Sequence, residues 1–133
     1  MANALYAKGK ENILAGNIDF DADDIKAVLV DSADYTLNIS TDNALDDIPA
    51  GGRVATSAAL GSKTVTDGVF DSANFTYSAV SGDQSEYIVL YKDSGVESTS
   101  YLIAIYDTAS GLPVTPNGGD INVTVNASGW FAL

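Results

Sequence analysis

Residues 19–24, "DFDADD", form the densest run of chemistry-bearing side chains in the sequence. Asp19, Asp21 and Asp23 occupy every second position, the spacing of the first three oxygen ligands in a calcium loop. The pattern then departs from that loop. Its sixth position needs glycine for a sharp turn and is Asp24, and its twelfth needs a bidentate glutamate and is Val30. The simpler expectation is a solvated acidic turn ahead of a strand over 25–31, so no metal ligand is assigned.

Glycoside hydrolysis needs only two carboxylates, and the chain has 18 acidic residues from which to draw a pair. Only Glu11, Glu86 and Glu97 are glutamates, and many aspartates fall at turn signals such as Asp67-Gly68, Asp83 and Asp93-Ser94. Aspartate is favoured there for its local hydrogen bonding. The sequence contains neither histidine nor cysteine. Ser-His-Asp and Cys-His nucleophilic arrangements, histidine or thiolate metal sites, iron–sulfur clusters and disulfides are therefore excluded. No glycine-rich loop is followed by Lys-Ser or Lys-Thr, which removes the P-loop. The expectation is a non-enzymatic protein with no catalytic residue and no cofactor.

Seven tyrosines and Trp130 could build a flat carbohydrate platform, because aromatic rings join apolar faces to polar tips. Yet Tyr87, Tyr91, Tyr101 and Tyr106 bracket two apolar runs, where such rings ordinarily belong to the core or its rim. Asn38, Asn74, Asn122 and Asn126 each open an Asn-x-Ser/Thr triplet, read here as a by-product of a Ser/Thr/Asn-rich β protein.

The charge balance narrows the partners. Formal net charge is -12, and the basic residues are Lys8, Lys10, Lys26, Arg53, Lys63 and Lys92. They form no cluster beyond the first pair, so neither nucleic acid nor an anionic membrane is expected as a partner. The acidic surplus keeps copies apart and suits basic protein surfaces. No run of about 18 apolar residues occurs, and charges interrupt the N-terminus. A protein made in a cytoplasm and not exported by a signal peptide is expected.

These residues must be carried by short strands. The 133 residues suit one domain, here divided into an N-terminal helix or arm over 1–17 and a β-sandwich over 24–133. In the first part Leu5, Tyr6, Ile13 and Leu14 recur at near-helical spacing, Gly16-Asn17 is a stop signal, and Gly9 weakens the helix. Strands are expected over 25–31 and 35–39, with a loop over 41–52 holding one helical turn near Ala44. Residues 53–60 and 63–70 read as a hairpin about Gly61-Ser62. Over 74–80, Phe75, Tyr77 and Ala79 should share a face.

"YIVLY" (87–91) and "YLIAIY" (101–106) are apolar on both faces and fit central strands covered on both sides. A hairpin centred near Val96 would pair Tyr91 with Tyr101 and Val89 with Ile103. In "GLPVTPNGGDINVTV" (111–125), residues 112–115 would pair across the Pro116-Asn117-Gly118-Gly119 turn with a strand pointing Ile121, Val123 and Val125 inward. The apolar ending "SGWFAL" should be tied down as a last strand or against a partner. The sum is a mainly β protein, an antiparallel sandwich or flattened barrel of about eight or nine short strands.

One resemblance covers essentially the whole chain. Its segments "ALYAKGKENILAGNIDF", "DDIKAVLVD", "ALDDIPAGGRVATSAALGSKTVTDGVFDSANFTYSAVSGD", "YIVLYKDSG" and "LIAIYDTASGLPVTPNGGD" occur in order. They resemble a family of small structural proteins of tailed bacteriophages and prophages. That family typically shows a Tyr-x-Lys-Gly-Lys start, a "DIK(V/A)(A/V)LVD" strand, "LxDIPAGGRVATS" and "GLPVTPNGGD". Where the family often ends in "GANKIF(K/R)L", this chain ends in "ASGWFAL" and lacks the penultimate basic residue. The resemblance implies a virion component made in the bacterial host cytoplasm and carries over no residue-level role. The expectation built on it is a capsid decoration (cement) protein on the outside of the major capsid protein shell. Its expected partners are that shell and copies of itself, with a trimer as the guess. The alternative is a tail- or neck-associated structural or carbohydrate-binding module, and a glycan hydrolase using Asp pairs ranks third.

Overall fold

A computed structural model of the chain describes residues 3–109 and 111–133. Among the described residues ten strands lie in antiparallel sheets: β1 (Ala4–Leu5), β2 (Asp24–Val30), β3 (Arg53–Thr56), β4 (Thr64–Thr66), β5 (Val69–Asp71), β6 (Phe75–Tyr77), β7 (Tyr87–Asp93), β8 (Leu102–Tyr106), β9 (Ile121–Val123) and β10 (Phe131–Ala132). One helix, α1 (Ala7–Leu14), follows β1. The main sheet has the order β1-β8-β7-β2-β3, and beside it stand a three-stranded sheet, β10-β5-β4, and a two-stranded one, β6-β9. The architecture is β-sandwich-like, as the sequence led us to expect.

Strand alternation explains the layering, because successive side chains point to opposite faces. On one face Ile25, Ala27, Leu29, Ile88, Leu90 and Ile103 pack against Phe70, Tyr77 and Val123 of the smaller sheets. On the other, Val28, Val30, Val89, Tyr91, Leu102 and Ile105 pack beneath Tyr6, Tyr35 and Ile48. The two doubly apolar runs are thus central strands, covered on both sides. Each fully buried Leu or Ile contributes roughly 1.5–3 kcal/mol, so both covers are needed.

Several local expectations are corrected. Residues 35–39 form no strand, since Asp42 accepts from Asn38 N–H (2.9 Å) and from the Tyr35 hydroxyl (2.6 Å), curling the segment. The hairpin about Gly61-Ser62 is absent. Residues 53–56 join β2 instead, while 63–70 folds on itself at Asp67-Gly68. Both turn residues are left-handed there, with φ of 53° and 79°, as a two-residue hairpin turn requires. Ala79 also takes a positive φ, 49°, which breaks the alternation and leaves Val80 buried and Ala79 exposed.

In the β7–β8 pair, Val89 faces Ile105 and Tyr91 faces Leu102, with an irregularity between Leu90 and Tyr91. The intervening loop holds a 3-10 turn, Glu97–Thr99, which lengthens it and shifts the register from the expected Tyr91–Tyr101 and Val89–Ile103 pairing. Residues 112–115 do not pair with 121–125. β9 pairs with β6, and Val114 forms an isolated bridge to Ser85. The Asn-Gly-Gly turn is present, with Gly118 N–H donating to Val80 O (2.7 Å), but it straps two segments together rather than closing a hairpin. Ile121, Val123 and Val125 do turn inward relative to exposed Asn122 and Thr124.

Gly9 is the other revision. Leu14, expected on the apolar face, is 87% exposed, whereas Gly9 and Asn12 are buried. A Cβ at residue 9 would lie 2.6 Å from Leu102 O and 2.8 Å from Ile103 O. The helix therefore approaches the β8 backbone closely only because residue 9 is glycine. Gly9→Ala should lower stability by about 1–3 kcal/mol despite the better helix propensity of alanine. Thermal or urea unfolding checks this, and an unchanged midpoint would refute the contact.

Candidate interaction surface

The acidic turn does not open as a cation loop. Asp19 Oδ1 accepts from the N–H groups of Asp21 (3.0 Å) and Ala22 (3.2 Å), and Asp23 Oδ2 accepts from Asp19 N–H (2.8 Å). Lys92 Nζ lies 3.3 Å from the Asp23 carboxylate, and Lys63 Nζ donates to Asp23 O. The bond from Asp19 N–H, with help from Lys92, holds the Asp23 carboxyl below its ordinary 3.8. These groups serve their own backbone and the neighbouring lysines.

Carboxylates converge elsewhere. Asp31, Asp34 and Asp83 bring their oxygens within 4.8 Å of one another, with Asp31 buried and the other two exposed. Asp31 Oδ1 accepts from Ala33 N–H (2.9 Å). Nearby, Glu86 Oε1 accepts from both the N–H and the hydroxyl of Ser32 (2.9 Å each). Sequence spacing carries no signal for this triad, because Val30 and Glu86 are joined only through the fold.

Most of the cations are engaged within the chain. Lys8 pairs with Glu11 (3.1 Å), Lys26 with Asp93 (2.7 Å) and Arg53 with Glu97 (2.8 Å). Arg53 also donates to the carbonyls of Ile48 and Leu45, and Lys92 to that of Asn17. Lys26 and Gly95 N–H hold the Asp93 carboxyl low, as Arg53 does for Glu97. With these lysines and the arginine engaged, the surplus charge facing outward is acidic.

Most rings belong to the core or its rim, as expected of residues that bracket the central runs. Tyr6, Tyr35, Tyr77, Tyr91 and Tyr106 are all buried. Tyr77 donates to Ala27 O (3.0 Å), Tyr106 to Trp130 O (2.8 Å), and the Tyr6 and Tyr35 hydroxyls meet at 2.9 Å. Half-buried Trp130 stacks on Phe75 at 6.0 Å and donates to Ser72 Oγ (2.8 Å). Tyr87 and Tyr101 are half-buried at the rim. A groove of about 830 Å³ runs beside Trp130, with Asn3, Tyr106, Asn126 and Phe131 among its walls.

The four asparagines of the triplets serve turns and strands. Asn38, Asn74 and Asn126 accept from the N–H groups of Ser40, Val125 and Ser128, and Asn122 accepts from the Thr76 hydroxyl. Among the described residues, no helix is long and apolar enough to cross a membrane. No protein-family model matches the sequence, and no curated protein does either.

Burial pushes the Tyr91 hydroxyl up to about 12 and shifts Tyr6, Tyr35, Tyr77 and Tyr106 in the same direction from 10.0. A raised folded value contributes stability that is complete below the unfolded value and is lost as pH rises past it. Stability should therefore hold at neutral pH and fall as pH climbs above about 10. Tyrosinate absorbance should then rise together with loss of near-ultraviolet dichroism. Ionisation of these rings near pH 10 with the fold intact would contradict their burial.

Proposed function

We propose that this is a non-enzymatic bacteriophage virion protein, a capsid decoration (cement) protein that binds the outside of the major capsid shell. The observation that carries the proposal is electrostatic. Five of the six basic side chains, Lys8, Lys26, Arg53, Lys63 and Lys92, have partners within the chain, so the surface offered to a neighbour is predominantly acidic. A sheet with a core on each face supplies the stiffness such a role demands. The sequence resemblance supplies the virion setting, and the shell is the partner that an acidic, repeated, rigid unit would cover. Long-range attraction to a basic surface raises association rates and weakens as salt screens it.

Cryo-electron microscopy of purified virions tests the proposal. Density for this chain is expected on the outer face of the head, and density confined to the tail would overturn it. A second measurement concerns the mechanism. Purified protein added to undecorated shells should bind less tightly as sodium chloride rises from low ionic strength to about 1 M, where the screening length shrinks to roughly 3 Å. Binding indifferent to salt would remove the electrostatic argument.

The groove beside Trp130 favours one other reading, a tail-associated carbohydrate-binding module. A glycan array would support it only through a reproducible hit that is lost in a folded Asn126→Ala variant.

A further inference from the structure

Strand β4 is the outer strand of the β10-β5-β4 sheet, and all three of its residues are exposed. Its pairing with β5 is set by the two-residue turn at Asp67-Gly68, which closes on Thr66 and Val69. In a hairpin of this kind the closing pair exchanges hydrogen bonds, and the next pair, Val65–Phe70, does not. The N–H and C=O of Val65 therefore point away from β5, and no other described segment bonds to them. Directly opposed residues share a face, so the Val65 side chain lies on the side of buried Phe70, which packs 4.7 Å from Phe20. Val65 itself is 51% exposed, an uncovered margin of that apolar face.

Natural edge strands are commonly blunted by charge, proline or a bulge; Thr64–Thr66 carries none of these, and the charges that flank it, Lys63 and Asp67, are opposite in sign. Its sequence, "KTVTD" (63–67), is also self-complementary when reversed. An antiparallel pairing centred on Val65 places Val65 against Val65, Thr64 against Thr66, and Lys63 of one copy against Asp67 of the other. Opposite charges and Thr pairs across antiparallel strands are favourable contacts. Lys63 Nζ already donates to Asp23 O, and an ammonium group has two further donors for a carboxylate.

We propose that β4 is a self-association edge, at which two copies join their three-stranded sheets into one continuous sheet about a two-fold axis. The occupant is a second copy of this chain, chosen by the charge and size match of residues 63–67 with themselves. Such an isologous contact joins copies in pairs and builds no three-fold ring. The contact is small, so it is weak in dilute solution and gains weight where copies are held side by side. The inference is independent of the virion reading, since it concerns the protein alone in solution.

Sedimentation velocity from micromolar to millimolar concentration tests it. The unaltered chain should show a monomer–dimer equilibrium. Val65→Pro removes an N–H that makes no bond inside the chain, and proline is tolerated at such an edge position. It should weaken dimerisation by at least about tenfold while circular dichroism stays unchanged. Should that variant fail to fold, Val65→Lys, an exposed change that sets like charges across the axis, should give the same loss. Asp67→Asn keeps the turn chemistry and should weaken the dimer by about threefold. An unaltered chain that stays monomeric at millimolar concentration would overturn the proposal. So would dimers that persist undiminished in both folded Val65 variants.

Discussion

The central sheet has no solvent face. Over 27–30 of β2, 87–91 of β7 and 102–106 of β8 both sets of alternating side chains are apolar, so the three strands are stable together only if each side is covered. One cover comes from short sheets that contribute Phe70, Tyr77 and Val123. The other comes from the N-terminal arm and the irregular 35–48 segment, through Tyr6, Tyr35 and Ile48. Most of the remaining architecture follows from these two demands. Because Tyr6 is wholly buried, the arm must lie flat on β8, and Gly9 is what lets the following helix do so. Once Tyr6 and Tyr35 are buried their hydroxyls need partners, which they find in each other and in Asp42.

The same demand explains which parts were legible in the sequence. "YIVLY" and "YLIAIY" announced central strands, because a run apolar at every position fits a doubly covered sheet, and the β-branched run in "IKAVLVD" announced a further strand. The end of the chain was legible for a similar reason, since Phe131 had to find a core and does so beside Phe20 and Phe70. Residues 35–39 misled because alternation in "YTLNI" is also satisfied by a curled segment whose hydrogen bonds run to Asp42. Gly61-Ser62 looked like a turn between strands, but Asp67-Gly68 has the stronger chemistry for positive φ and took the hairpin. The register of β7 and β8 depended on a 3-10 turn that no periodicity reveals. The Asp31–Asp34–Asp83 convergence was invisible for a further reason: its members meet only because the fold brings residue 83 back to the end of β2.

Electrostatics and packing are coupled in this molecule. An acidic excess of this size would work against a compact state if the few cations were spread at random. Instead Lys26, Arg53 and Lys92 stand near strand ends. Lys26 and Lys92 stand at the β2–β7 end beside Asp23 and Asp93, and Arg53 gathers two carbonyls as well as Glu97. Exposed and partly exposed ion pairs add little to stability, so their effect lies more in arrangement.

The loop that first looked like a hairpin is held in place by a neighbouring segment instead. Residues 112–120 run along the 79–85 segment. Val114 and Ser85 exchange N–H···O bonds of 2.9 and 2.8 Å, and Gly118 and Gly119 bracket Val80 at 2.7 and 3.0 Å. Asp120 adds a side-chain bond to Ala79 N–H (2.9 Å). Glycine at 118 is required, because φ there is 88° and any side chain would strain the turn. Ala79 sits in the left-handed region too, and the bond from Asp120 holds it there, which turns Val80 into the core. The strap and the kink therefore depend on each other. A two-stranded β6–β9 sheet would be marginal alone, and it becomes a fixed cover for the main sheet because a rigid turn anchors the segments on either side of it.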